Sequence, residues 1–136
     1  MKTMREILFR AKNFDNGVWV QGYYVRLNGN KHFIYTGQSD VDCGNYYPDY
    51  YPVAAKTVGQ FTGLTDKNGT KIFEGDIVKY GDFLMVIVWD EFFSSFMLAF
   101  SLDGNYHETM SNSHIYLEVI GNIHDNPELI GGADNG

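Results

Sequence analysis

The chain has 136 residues, 44% of them apolar and 20% charged, and a formal charge of −7. That length and balance describe one globular domain able to bury a core unaided. The single cysteine, Cys43, excludes an internal disulfide and fits a reducing compartment. The longest apolar run, residues 83–89, is too short to span a bilayer as a helix. Residues 1–6 contain no signal-peptide core, so the reading is a cytoplasmic protein without membrane contact.

In chain order, the strongest local signals are turns. Asn16-Gly17, Asn28-Gly29, Asn68-Gly69 and Asp103-Gly104 are pairs that tolerate positive φ and suit type I′ hairpin turns. Apolar or aromatic stretches lie between them, and 16% of the chain is aromatic, which fits pleated sheet. Residues 1–36 read as a β-meander, with a bulge at Gly22. Residues 37–57 carry two of the three prolines among Gly, Asp, Asn and four tyrosines, and read as an irregular loop of functional length. A hairpin follows around Asn68-Gly69, then a strand from Ile77 and a longer one over residues 83–89. The latter is apolar on both faces and therefore central. Further strands are read at residues 96–100 and 115–123. Asn126-Pro127 is a helix-start signal, and residues 131–136 read as a flexible tail. The reading is an all-β domain of about eight or nine strands. Its predicted core is Phe9, Phe61, Leu64, Ile72, Ile77, Val86, Val88, Leu98, Val119 and Ile123.

The charge is unevenly spread. Residues 1–36 hold six Lys/Arg against two acids, a net +4, whereas the other 100 hold four Lys against fifteen acids, a net −11. The two regions attract each other, within one chain or between subunits. The overall acidity disfavours nucleic acid as a partner.

The run Phe61-Thr62-Gly63-Leu64-Thr65-Asp66-Lys67-Asn68-Gly69-Thr70-Lys71-Ile72-Phe73-Glu74-Gly75-Asp76-Ile77-Val78 resembles the signature of the YopX family, small proteins encoded by bacteriophages, prophages and other mobile elements. Residues 5–11 resemble the family's opening, and residues 119–129 its ending. One position departs: the family often has Trp where this chain has Lys12. The resemblance implies a single β-rich domain over residues 1–136 and a phage or prophage origin, hence the cytoplasm of a bacterial host. It implies no activity, and it brings no catalytic residues. The residues themselves explain the motif structurally. Asn68-Gly69 turns the chain, Asp66 accepts backbone N–H groups, and Gly75-Asp76 leads into the Ile77 strand. Such a start resembles that of SH3-like barrels, so residues 58–130 are expected to form a small barrel-like region.

His32, His107, His114 and His124 show no short ligand-pair spacing, so neither a metal nor another cofactor is expected. Cys43 lies between Asp40 and Asp42, which weaken a thiolate. Asp90 and Glu91 follow a strand directly and read as its solvated end. The tyrosines Tyr46, Tyr47, Tyr50 and Tyr51 either fold back over the sheet or present a rigid amphipathic surface to a partner. The expectation is a non-enzymatic accessory protein that binds another protein through these rings and forms a homo-oligomer. The alternative is nucleic-acid binding through Arg5, Arg10, Lys12, Arg26 and Lys31.

Overall fold

The Asn-Gly pairs turn the chain where the sequence places them, but by a different geometry. Type I′ turns need positive φ at both central residues. Among the described non-glycine residues, positive φ occurs at Asn30, Ser94 and Ser111. Asn16 and Asn68 therefore stay on the ordinary side, and the glycine after each takes the left-handed conformation (Gly17 φ 72°, Gly69 φ 82°). At the second pair the positive angles fall on Gly29 and Asn30, one residue late.

The computed structural model describes residues 5–39, 48–102, 104, 106–111 and 113–131; Cys43, Tyr46, Tyr47, Asp103 and the tail from residue 132 lie outside them. The described chain is all-β, with antiparallel pairing throughout. It has eleven strands rather than eight or nine. Clustering of its contacts gives two compact units, Met1–Phe61 and Thr62–Gly136.

In the first unit, β1 (Phe9–Lys12), β2 (Trp19–Leu27), β3 (Lys31–Ser39), β4 (Pro48–Pro52) and the start of β5 (Gly59–Thr65) lie in the order β4-β3-β2-β1-β5. Strand β4 corrects the reading of residues 37–57 as wholly irregular: Tyr50 pairs with Tyr35 and Tyr51 with Ile34. A short 3-10 turn, Ala55–Thr57, follows. The core of this unit is small. Ala11, Ile34 and Val53 are buried, with Phe9, Val20, Tyr24 and Val58 packed against them. The β1–β2 ladder ends at Gly22 (Phe9↔Gly22) and the β2–β3 ladder begins at Tyr23↔Tyr35, so neither register runs through the position where a bulge is expected. Glycine is required there for another reason: a Cβ would stand 2.3 Å from the Tyr35 carbonyl oxygen.

The second unit takes the rest of β5, then β6 (Lys71–Phe73), β7 (Asp76–Tyr80), β8 (Phe83–Asp90), β9 (Ser95–Ala99), β10 (His107–Thr109) and β11 (Glu118–Asn122). Its main sheet has the order β10-β9-β8-β7-β11. The hairpin from Thr62 to Phe73 contributes Ile72 and Leu64 to a core with Val78, Met85, Ile87, Leu98, Met110 and Leu117. As read, Ile77 and Val86 are fully buried and β8 is central. Val88, Val119 and Ile123 are half-buried. The strand read from residue 115 starts later, because Ser113–Tyr116 is a 3-10 turn. A second 3-10 turn, Pro127–Ile130, follows Asn126. The Asn126 side chain does not cap it; its Oδ1 accepts the Asn122 N–H at 3.2 Å instead.

Candidate functional site

Alternation along β2 sorts its side chains between two faces. Val20 and Tyr24 pack on the small core, so Trp19, Gln21, Tyr23, Val25 and Leu27 look outward. The register then fixes their neighbours. Tyr23 lies opposite Tyr35, and Tyr35 opposite Tyr50. Three tyrosines on three adjacent strands thus stand in one row. Their rings are in contact, with centroids 6.4 Å apart for Tyr23–Tyr35 and 4.7 Å for Tyr35–Tyr50. Tyr23 and Tyr50 are 57% and 51% exposed. Cross-strand aromatic pairs stiffen such a face, so the rings form a preorganised surface.

On the same outward face, Arg10 lies opposite Gln21 and Lys12 opposite Trp19. The Arg10 guanidinium sits 4.7 Å from the Trp19 ring centre and the Lys12 ammonium 5.5 Å from it, both in the range of cation–π attraction. This side of the sheet therefore joins aromatic rings to cations. Of the tyrosines singled out in the sequence, Tyr50 belongs to the row. Tyr51 points the other way, beside Ile34, and is half-buried. The five basic residues are not assembled into one cluster. Arg10 and Lys12 are neighbours, Lys31 stands at the start of β3, Arg5 precedes β1, and Arg26 shares the inward face of β2 with Tyr24. Tyr23 and Tyr35 were missed by the sequence reading. Their signal was the apolar and aromatic character of both parities in residues 18–27, which one buried face does not require.

A groove of about 700 Å³ opens near the β2–β3 turn, lined by Phe14, Lys31, Phe33, Pro52, Val53 and Ala55 among others. Phe14 is 73% exposed, although its N–H is held by the Pro52 carbonyl at 2.7 Å.

In the second unit the hairpin motif that carries the family resemblance proves to be structural wiring. Asp66 is buried. Its Oδ1 accepts the N–H groups of Asn68 (2.8 Å) and Thr70 (2.9 Å), and its Oδ2 accepts that of Val119 (2.9 Å). Burial pushes this carboxyl up, but the hydrogen bonds from Val119, Thr70 and Asn68, with the Lys67 charge, outweigh it and hold it below the usual carboxylate value. Asp76 is also buried and accepts the Phe73 N–H at 2.7 Å, which closes the β6–β7 turn. These carboxylates are occupied in holding backbone.

The β8–β9 hairpin ends in a four-residue turn, 91–94, closed by Asp90 opposite Ser95. Asp90 is more than a solvated strand end. Its Oδ1 accepts the Phe93 N–H at 2.9 Å and its Oδ2 meets His107 Nδ1 at 2.6 Å. The Phe93 N–H and the His107 ring hold its carboxyl below the usual range. The turn so fixed presents Phe92 and Phe93, 88% and 64% exposed, edge to face. His107 and His114 do not meet, because His114 Nδ1 lies 2.9 Å from the Thr65 carbonyl oxygen. Among the described residues, no group of three His, Cys, Asp or Glu stands close enough to share a metal ion. No helix among them is long and apolar enough to cross a membrane.

Fold and surface together define a small all-β protein of antiparallel sheets, with exposed aromatic rows in both units, Tyr23–Tyr35–Tyr50 and Phe83–Phe100–Tyr106, and at one hairpin tip. The chain belongs to the YopX protein family, whose model matches residues 8–131. It is similar to the crystal structure of protein EF1440 from Enterococcus faecalis. The two are 27% identical over 93% of this chain and 99% of that one, with a TM-score of 0.57. No curated protein sequence matches the chain.

Proposed function

We propose that this YopX-family protein is a non-enzymatic accessory of a bacteriophage or prophage, acting in the cytoplasm of its bacterial host by binding another protein through the outward face of the first unit. The in-register row Tyr23–Tyr35–Tyr50 carries this reading. Rigid tyrosines with adjoining Trp and Arg are the residues that dominate protein interfaces, since they bury large area while losing little side-chain entropy. Arg10 and Lys12 beside Trp19 favour an acidic partner surface.

The test is affinity capture from host lysate with the full chain and with a Tyr23→Ala/Tyr50→Ala variant. One or more proteins held by the wild type and released by the variant is the expected outcome. Equal capture by both overturns the reading. A second reading, binding of single-stranded nucleic acid on the same face, is favoured by the placement of cations next to stacking rings. It predicts retardation of a single-stranded oligonucleotide at low salt that fades steeply as salt is added.

A further inference from the structure

The Phe92–Phe93 tip is unlike the other exposed aromatics. Scattered surface rings are ordinary, and Tyr23, Tyr35 and Tyr50 support one another across strands. Phe92 and Phe93 instead stand on a turn held in place by the Asp90 carboxylate, which is itself tied to His107 on a separate strand. Ser94 completes the turn at a φ of 52°. Two phenyl rings on a fixed projection, 88% and 64% exposed, pack edge to face on each other and leave most of their surface open. Their flanking residues, Asp90 and Glu91, are acidic.

The groove of the first unit has the opposite character. Phe14, Phe33, Pro52, Val53 and Ala55 give it apolar walls, and Lys31 lies on its lining. Lys56 follows Ala55 directly, and Asp15 is the acid adjacent to Phe14 in sequence. At about 700 Å³ it falls within the usual size of a ligand cavity. Phe14 is 73% exposed and Phe92 88%, so each side presents an open ring. Shape and charge match in one direction. An apolar projection with the Glu91 carboxylate at its base meets an apolar recess with the Lys31 ammonium group at its wall.

We propose that the Phe92–Phe93 tip of one molecule seats in the Phe14–Phe33–Pro52–Val53 groove of a second copy of this chain, with Glu91 facing Lys31. The contact joins unlike surfaces, so it propagates head to tail and ends in a ring or an open chain. The two Phe side chains are the anchors, and the Glu91–Lys31 pair orients them and adds a salt-dependent component. The contact uses neither Tyr23 nor Tyr50, although Phe33 and Pro52 share their face two residues along from Tyr35 and Tyr50, so its test rests on substitutions outside the tyrosine row.

Sedimentation velocity of the full chain across micromolar concentrations tests it. The wild type is expected to sediment as a multimer. A tip variant, Phe92→Ser/Phe93→Ser, and a groove variant, Ala55→Glu/Lys31→Glu, are each expected to be monomeric. All four residues are exposed, and amide exchange on each variant checks that the sheets are intact. An equimolar mixture of the two variants is decisive. The groove variant still has its tip and the tip variant still has its groove, so the mixture is expected to form a 1:1 dimer and stop there. A like-to-like interface gives no such rescue. A monomeric wild type, an undiminished mass in the tip variant, or a mixture that stays monomeric overturns the proposal.

Discussion

The two units spend their sequences differently. The second holds a core of seven buried apolar residues around Ile72, Val78, Ile87 and Leu98, braced by the buried carboxylates of Asp66 and Asp76. The first has a core cluster of three buried apolar residues, Ala11, Ile34 and Val53, and turns a row of large rings outward. Stability is thus concentrated in residues 62–131, and the broad aromatic–cationic face in residues 5–61. The sequence block that resembles the family's signature lies almost wholly on the stable side. Its Asp66, Gly75 and Asp76 all serve backbone geometry: Gly75 donates its N–H to the Ile87 carbonyl and accepts the Ile123 N–H.

The sharpest way to break this comparison is to weaken the stronger core. Leu98→Ala removes a 2%-exposed side chain and is expected to cost about 3 kcal/mol. Urea denaturation measures it, and amide exchange should quicken first in β7, β8 and β9. Exchange that quickens equally in β2 and β3 contradicts two separate cores.

Asp66→Ala strips the acceptor from three N–H groups and is expected to cost about 2 kcal/mol. Its pH dependence has a fixed sign. The folded-state pKa of Asp66 lies below its ordinary 3.8, so the folded protein binds the proton less readily than the unfolded chain. The stabilisation is complete above pH 3.8 and is lost as pH falls through the lower folded value. The stability gap between the wild type and Asp66→Asn should narrow correspondingly in acid. A gap that stays constant down through that range means that Asp66 does not act through its charge.

Gly22→Ala tests the first unit. The new methyl group would meet the Tyr35 carbonyl, which is backbone and cannot step aside. A loss of about 1–2 kcal/mol is expected, with quickened exchange in β2 and β3. Unchanged exchange there contradicts the close approach.

Smallest in stability, about 1 kcal/mol for the two cross-strand ring contacts it removes, is Tyr23→Ala/Tyr50→Ala, whose rings are more than half exposed. The same variant is expected to abolish partner capture. A large stability loss in it makes the row a packing device rather than a binding surface.

Much of this contrast was legible in the sequence, for local reasons. The Asn-Gly pairs marked the turns, the doubly apolar run 83–89 marked a central strand, and Asp66 was recognisable as an acceptor for nearby backbone N–H groups. What stayed hidden is non-local. Pro48 and Pro52 disguise β4, because prolines argue against a strand unless it lies at an edge, as β4 does in the first unit. The tyrosine row needs the β2–β3–β4 register, which no single segment contains. Asp90 and His107 are 17 residues apart, and the pairing appears only when β8, β9 and β10 lie side by side. Ile115 and Tyr116 alternate with their neighbours as a strand would, yet the Ser113–Tyr116 stretch coils into a 3-10 turn whose end is closed by the Leu117 N–H on the His114 carbonyl.

The proposed contact surface for a partner is centred on Tyr23 and Tyr50. Oxidative footprinting of the full chain, in buffer and in host lysate, reads it directly. Tyr116, 65% exposed in the second unit, is the internal reference. Tyr23 and Tyr50 are expected to be protected in lysate while Tyr116 oxidises as before. Protection of Tyr116 with Tyr23 and Tyr50 unchanged contradicts it.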